Sequence, residues 1–239
     1  VIGDEAHLFK ANSLTKIMTK LENCDYRFGF TGTLDGTQTH RLVLEGLFGP
    51  VMKVITTKEL IETDRIADLR IKALVLKYSD EVRKMMKEAK YDDEIKFLAQ
   101  CTERNNFIKN LAIGRTGNTL VLFQMVEKHG KILYNLINSN SLEQRHVFFV
   151  HGGVDTEDRE KVRSITENEN NAIIVASYGT FSTGINIKNL HNVIFASPSK
   201  SRIRNLQSIG RILRKGNNKT KATLYLSLIH ISEPTRHVD

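Results

Sequence analysis

Short runs of apolar, often β-branched residues alternate along the chain with longer stretches in which apolar positions recur every three or four residues. The first pattern fits strands buried on both faces, the second amphipathic helices, and their alternation is what a parallel sheet with helical crossovers requires. The expected class is therefore α/β. A strand end is read at Val1-Ile2, a helix over 13–22 and a strand over 26–30, after which Leu47-Phe48-Gly49-Pro50 breaks the pattern. A second block has strands expected over 71–76, 119–123, 146–150, 172–176, 192–196 and 222–225, with helices in the intervals, among them 127–137 and 158–167.

Between the blocks, 56–70 is polar and charged and reads as a short helix and a linker. This divides the chain into a first domain over 1–58, a linker over 59–70 and a second domain over 71–225. The segment 79–104 is strongly charged with helical spacing and reads as a surface excursion. Both ends stand apart. The chain opens on Val1 in mid-strand, so the first domain is expected to begin upstream, and 226–236 (LSLIHISEPTR) reads as a translated sequencing adapter. Residues 226–239 are accordingly left out of the fold expectation.

Composition narrows the class. Among 239 residues, 40% are hydrophobic and 26% charged, which suits one large globular domain or two modest ones. The two cysteines, Cys24 and Cys101, form no CxxC or Cys/His cluster, which argues against a disulfide framework or structural zinc site and suits a reducing cytoplasm. No apolar run approaches the roughly 18 residues that span a bilayer, so no membrane partner is expected. The net charge is +8, with basic residues gathered late at Lys200, Arg202, Arg204, Arg211, Arg214, Lys215, Lys219 and Lys221. Such a field attracts polyanions, although a charge of this size also serves solubility alone.

The chemistry-bearing residues lie at expected strand ends. Asp4-Glu5-Ala6-His7 places two adjacent carboxylates where open α/β sheets bind ligands. One carboxylate can hold a hydrated Mg²⁺ while its neighbour orients and deprotonates water; the competing reading is that the pair caps the next helix. Gln207-Ser208-Ile209-Gly210-Arg211-Ile212-Leu213-Arg214 sets two arginines three apart, on one face if helical, suited to the charge on a transferring phosphoryl group. A solvated basic helix is the alternative. Ser177 to Asn186 forms a small, hydroxyl-rich stretch after a strand, able to grip phosphate oxygens or to be an ordinary βα loop.

Taken in order, DEAH at 4–7, TGT at 31–33, the Gly184 stretch and QxxGRxxR at 207–214 resemble motifs II, III, V and VI of superfamily 2 helicases. Leu120 to Phe123 resembles motif IV, and Val150-His151-Gly152-Gly153 resembles the nucleic-acid loop after it, with Arg159 near the start of a helix. GFTGTL, STGINIK and QSIGRILRKGNNKTKATLY are similar to the recombination helicases of bacteriophages.

The resemblance covers 1–225 and implies RecA-like parallel sheets flanked by helices, with a partial first RecA-like domain and a complete second one. It implies ATP and Mg²⁺ as cofactors, Asp4 on the metal, Glu5 activating water, and His7, Thr31, Gly32 and Thr33 coupling nucleotide state to the second domain. Arg211 and Arg214 would answer the γ-phosphate. Gln207 would sense nucleotide, Gly184 and Asn186 would line the site, and His151, Gly152, Ser177 and Thr180 would face the nucleic-acid backbone. The implied partners are single-stranded or branched DNA and RNA–DNA hybrids, in recombination, branch migration and fork repair in a host cytoplasm. Two departures stand out: Asn186 where many relatives have Asp, and TGT for SAT. GxxxxGK[ST] is absent, the nearest approach being Gly130-Lys131 followed by Ile132, so the chain by itself is expected not to hydrolyse ATP. The alternatives are a non-catalytic nucleic-acid-binding module with the same fold and a Mg²⁺-dependent nuclease acting through Asp4 and Glu5.

Overall fold

Thr119–Phe123, Ile173–Ser177 and Asn192–Phe195 are apolar at nearly every position, so a strand made from any of them must be covered on both faces. In the computed structural model, which describes residues 1–9, 12–34, 38–184, 186–199, 201–216 and 219–230, these runs form the centre of a six-stranded parallel sheet. Numbered along the chain, the strands are β1 (Ile2–Gly3), β2 (Phe28–Gly29), β3 (Asp68–Lys77), β4 (Thr119–Phe123), β5 (Val147–Val150), β6 (Ile173–Ser177), β7 (Asn192–Phe195) and β8 (Lys221–His230). The large sheet has the order β3-β8-β7-β4-β6-β5, and β1 pairs with β2 in a separate parallel pair. In register, Thr119 faces Ile173 on one side and Asn192 on the other.

The helices are α1 (Asn12–Thr19), α2 (Gln38–Phe48), α3 (Thr57–Glu62), α4 (Asp80–Lys87), α5 (Tyr91–Gln100), α6 (Thr102–Ile113), α7 (Lys131–Asn140), α8 (Thr156–Asn168), α9 (Tyr178–Gly184) and α10 (Arg202–Ile212). Strand alternation sorts the large sheet's core into two layers. Leu120, Leu122, Ile174, Ala176, Val193 and Leu224 meet Tyr178, Phe181 and Ile212 on one face. Val121, Phe123, Ile173, Val175 and Ile194 meet Ile108, Leu133 and Ile137 on the other.

Two compact units emerge, one of Val1–Thr63 with Ser201–Gln207, the other of the rest from Asp64 onward. In the first, a Cβ at Gly3 or Gly29 would stand 2.9 Å from the Phe48 ring, so both strands of the small pair need glycine where α2 packs on them.

The short helix expected within 56–70 forms as α3, which starts at a capping box in which Thr56 and Glu59 satisfy each other's main-chain N–H. Other elements depart from the sequence expectation. β3 begins at Asp68 instead of 71, and pairs along its full length with β8. β8 runs past Tyr225, and Leu226 to His230, set aside on sequence grounds, pair with Ala73 to Lys77. The charged excursion over 79–104 is not wholly superficial, since Leu98, Ala99 and Arg104 are buried. The helix expected over 127–137 forms, but its first turn, Val126–Gly130, is π-helical and runs directly into α7, and a Cβ at Gly130 would lie 2.5 Å from the Phe123 ring. Gly130-Lys131 is thus a packing feature and not a phosphate loop.

A buried asparagine ties the amino-terminal edge of the sheet together. The two N–H bonds of Asn118 Nδ2 are shared among the carbonyls of Thr166 (2.8 Å), Glu169 (2.6 Å) and Asn189 (2.8 Å), while its Oδ1 accepts from Ala172 N (2.8 Å). Its own carbonyl accepts from the main chain of His191 and Asn192. Because unpaired buried polar groups cost about 1–3 kcal/mol each, Asn118→Asp, which turns an oxygen toward three carbonyls, is expected to destabilise the chain by at least about 3 kcal/mol. Denaturant unfolding of the two proteins measures the difference.

Candidate functional site

β1 delivers the acid pair. Asp4 and Glu5 follow it directly and are both exposed. Glu5 holds the left-handed conformation (φ 48°), uncommon for a residue with a side chain, and its N–H donates to Asp4 Oδ1 at 2.8 Å. A 3₁₀ turn, Ala6–Leu8, comes next, and Glu5 makes no side-chain capping bond to it. Helix capping therefore does not account for the Glu5 carboxylate. Asp4 keeps exposed carboxylate lone pairs beyond the one engaged by Glu5, which fits Mg²⁺ held by one carboxylate together with phosphate oxygens and water.

His7 is buried, with Nδ1 2.9 Å from Thr31 Oγ1 and 3.2 Å from Glu5 Oε2. Thr31 Oγ1 donates to the Thr33 carbonyl at 2.9 Å and accepts the Thr33 N–H at 3.2 Å. A hydroxyl has one proton, so the bond from His7 requires a protonated Nδ1, the form that also suits the nearby Glu5 carboxylate. The structure thereby joins Glu5, His7, Thr31 and Thr33 in one chain of contacts. Gly32 lies within the turn with open space where a Cβ would be.

In the larger unit the candidate groups collect at the carboxyl ends of parallel strands. Ser177 ends β6, and its Oγ lies 2.8 Å from Thr180 Oγ1 and accepts the Thr180 N–H at 3.3 Å. That bond starts α9, so the expected loop from Ser177 is a short helix ending at Gly184, and Thr180 is buried against Ser177 instead of facing outward. After β5, His151 Nδ1 accepts the Gly153 N–H at 3.1 Å, and the exposed Gly152 offers its carbonyl to Arg159 at 3.0 Å.

On α10, Gln207 is half-buried and Arg211 sits in the last turn. The helix ends at Ile212, so Arg214 does not share a helical face with Arg211 but follows in a turn, its N–H directed at the Arg211 carbonyl. The exposed Arg214 guanidinium donates to Asn186 Oδ1, bringing two predicted residues together.

Sequence reasoning missed several buried polar groups here. Lys219, counted among the late basic residues whose field attracts polyanions, is 1% exposed. His129, read only as part of an amphipathic helix, is buried between Asn105 Oδ1 (3.2 Å from Nε2) and Ser197 Oγ (2.9 Å from Nδ1). Since the Asn oxygen only accepts, Nε2 carries the proton and Nδ1 receives the serine hydroxyl. Burial, and then the nearby Arg104 cation, push His129 down to about 3. Ser197 links onward, its carbonyl accepting the Tyr178 hydroxyl at 2.9 Å. Neither partner of His129 could be found from spacing, because Asn105 and Ser197 lie far from it in sequence.

Residues 103–216 match the helicase conserved C-terminal domain. Over 228 residues the chain is 40% identical to the ATP-dependent DNA helicase uvsW of Enterobacteria phage T4, covering 94% of this chain and 45% of that protein. The chain thus carries a helicase conserved C-terminal domain and resembles the superfamily 2 helicases. The crystal structure of T4 UvsW aligns with all of this chain and 47% of its own length, at a TM-score of 0.60 and 35% identity. A type ISP restriction-modification enzyme, LlaBIII, shares the fold at 20% identity and a TM-score of 0.63, covering 95% of this chain and 18% of that one. The six-stranded parallel sheet with its flanking helices is thus a RecA-like helicase domain. The chain spans less than half the length of the curated relatives it matches. Among the described residues no helix is long and apolar enough to cross a membrane, and no group of three or more His, Cys, Asp or Glu side chains could hold a metal ion; Mg²⁺ bound largely through phosphates needs none.

The neutral His129 makes a pH prediction. As pH falls below about 6.5 the unfolded imidazole takes a proton that the folded one refuses until about 3. This group's contribution to stability is then lost at up to about 1.4 kcal/mol per pH unit across that window. Urea unfolding between pH 7 and 4 should show this slope in the wild type and a shallower one in His129→Gln; equal slopes would contradict the assignment.

Proposed function

We propose that this chain supplies the hydrolytic acids, the coupling residues and the arginine pair of an ATP-driven helicase acting on DNA. The observation that carries the reading is the contact chain from Glu5 through the buried His7 to Thr31 and Thr33, which connects a candidate water-activating carboxylate to a second segment far along the sequence. A purely structural acid would not need to be exposed at one end of such a chain.

In this reading Asp4 holds Mg²⁺, which supplies charge neutralisation to the phosphates of ATP. Glu5 orients the attacking water and removes its proton, and Arg211 and Arg214 stabilise charge on the transferring γ-phosphoryl group. Such arginines contribute about 10³–10⁵-fold to turnover. Asn186 aims Arg214, with Gly184 ending the helix before it, and Gln207 senses the nucleotide. His7 changes its contact with Thr31 as the charge at Glu5 changes, and Thr31-Gly32-Thr33 pass that change on. His151 and Gly152 meet the nucleic-acid backbone from the exposed end of β5, while Ser177 and Thr180 act there indirectly, by fixing α9.

The identity to a phage ATP-dependent DNA helicase supports DNA as the track; branched DNA and RNA–DNA hybrids, in recombination, branch migration and fork repair, are the finer reading that the sequence motifs' resemblance implies. Because GxxxxGK[ST] is absent from the 239 residues, hydrolysis is proposed for a protein that joins this chain to a phosphate-binding loop. In that protein DNA should stimulate ATPase activity, and Glu5→Gln should lower kcat by about 10²–10⁴-fold while leaving ATP affinity unchanged. Salt-sensitive DNA binding with no stimulated ATPase in the wild type would favour a binding module instead, and DNA cleavage without ATP would favour a nuclease.

A further inference from the structure

Lys219 Nζ donates to three main-chain carbonyls: Lys188 at 3.1 Å, Arg214 at 3.1 Å, and Ile212. An ammonium has three N–H bonds, so these acceptors use all of them. Two of the carbonyls lie at and just past the end of α10, where the last turn leaves carbonyls without helical partners and the helix dipole favours a cation. The third belongs to the segment leading out of α9, two residues beyond Asn186. The same residue is also held through its N–H, because Lys188 N donates to Glu167 Oε1 at 2.6 Å. Asn189 continues the anchorage, donating to the Glu169 carbonyl and accepting from Asn118.

Lys219 therefore joins two segments whose side chains meet a short distance away, where Arg214 donates to Asn186. We propose that Lys219 is a positioning residue for ATP hydrolysis, fixing the exit from α9 against the end of α10 so that Asn186 holds Arg214 in its working direction. The inference rests on the functional reading above, and Lys219 itself touches neither nucleotide nor metal.

The placement is costly in the way a positional device can be. Burial pushes Lys219 down to about 8, opposed by the Glu167 carboxylate on α8. The other titratable group facing it is His191 ahead of β7, itself pushed down by burial and by Lys219; from Arg214 it meets the main-chain carbonyl. Stability and positioning respond oppositely to pH. Between about 8 and the usual lysine range the unfolded chain binds the extra proton, so this group's effect on stability becomes more favourable as pH rises. The neutral amine, however, has one N–H fewer for its three carbonyls, so the tie to Arg214 slackens over the same range.

The test is kinetic, in the protein that joins this chain to its phosphate loop. Lys219→Met should lower DNA-stimulated kcat by about 10- to 100-fold, the loss expected of a slightly misplaced catalytic group, with little change in KM for ATP. In an Arg214→Ala background the same substitution should add nothing, since both changes break one device. A full further loss in that background would overturn the proposal in favour of general destabilisation. Should Lys219→Met fail to fold, the wild-type pH profile decides: kcat should fall above pH about 8, and Lys219→Arg, which keeps its charge, should shift or remove that fall. Identical profiles would overturn it. If the wild type hydrolyses no ATP, the functional reading fails separately. NMR of the Arg214 guanidinium in this 239-residue chain still tests the positioning: its N–H signals should exchange faster in Lys219→Met or, in the wild type, above pH about 8, and unchanged signals would overturn the inference.

Discussion

Covering β4, β6 and β7 on both faces leaves almost no place for a polar side chain along their length. Polar chemistry is driven to the two edges where the strands end, and the parallel arrangement makes those edges unlike. At the amino-terminal edge, Asn118 and Arg145 bind main-chain carbonyls inward; the Arg145 guanidinium donates to Ile113, Arg115 and Asn171. At the carboxyl edge, Ser177 ends β6, His151 follows β5 directly and Ser197 lies two residues beyond β7. The first edge holds the strands in register, and the second carries the candidate site groups.

That division explains what could be read from sequence. β4 was expected over 119–123 and occupies those residues, because a run buried on both faces has one way to be covered. β3 and β8, at and next to the sheet's edge, were misjudged at their ends, since Ile71 and Val75 are largely exposed and their periodicity constrains little. Ser177 to Gly184 reads as a loop by composition, and only the Ser177 hydroxyl on the Thr180 N–H turns it into a helix.

The candidate site was legible where its chemistry lies in adjacent residues and illegible where it depends on distant pairs. Asp4 and Glu5 stand side by side after a strand, and the arginines sit three apart. His7 to Thr31, Asn186 to Arg214, and His129 to Asn105 and Ser197 join residues that only folding brings together. Lys219 illustrates the limit most clearly, because a lysine in a basic stretch carries no sign in the sequence that three carbonyls converge on it.

The choice of cation in each buried position follows from the shape of what it binds. Around Arg145 the acceptors belong to separate stretches of chain, at Ile113, Arg115 and Asn171, and a planar fork with donors on three nitrogens can reach all of them at once. Around Lys219 the carbonyls of Lys188, Ile212 and Arg214 converge on one point, which suits a compact ammonium on a flexible stem. Arg104 fits neither pattern: it is 2% exposed, its three guanidinium nitrogens have no hydrogen-bond partner, and nothing in the structure explains that. The contrast gives the other two their meaning, since a buried cation whose donors are all used acts as a joint between segments. At Arg145 the joint fixes the sheet edge. At Lys219 it fixes two segments that carry exposed functional groups, so the same physics that stabilises the core also sets the direction of Arg214.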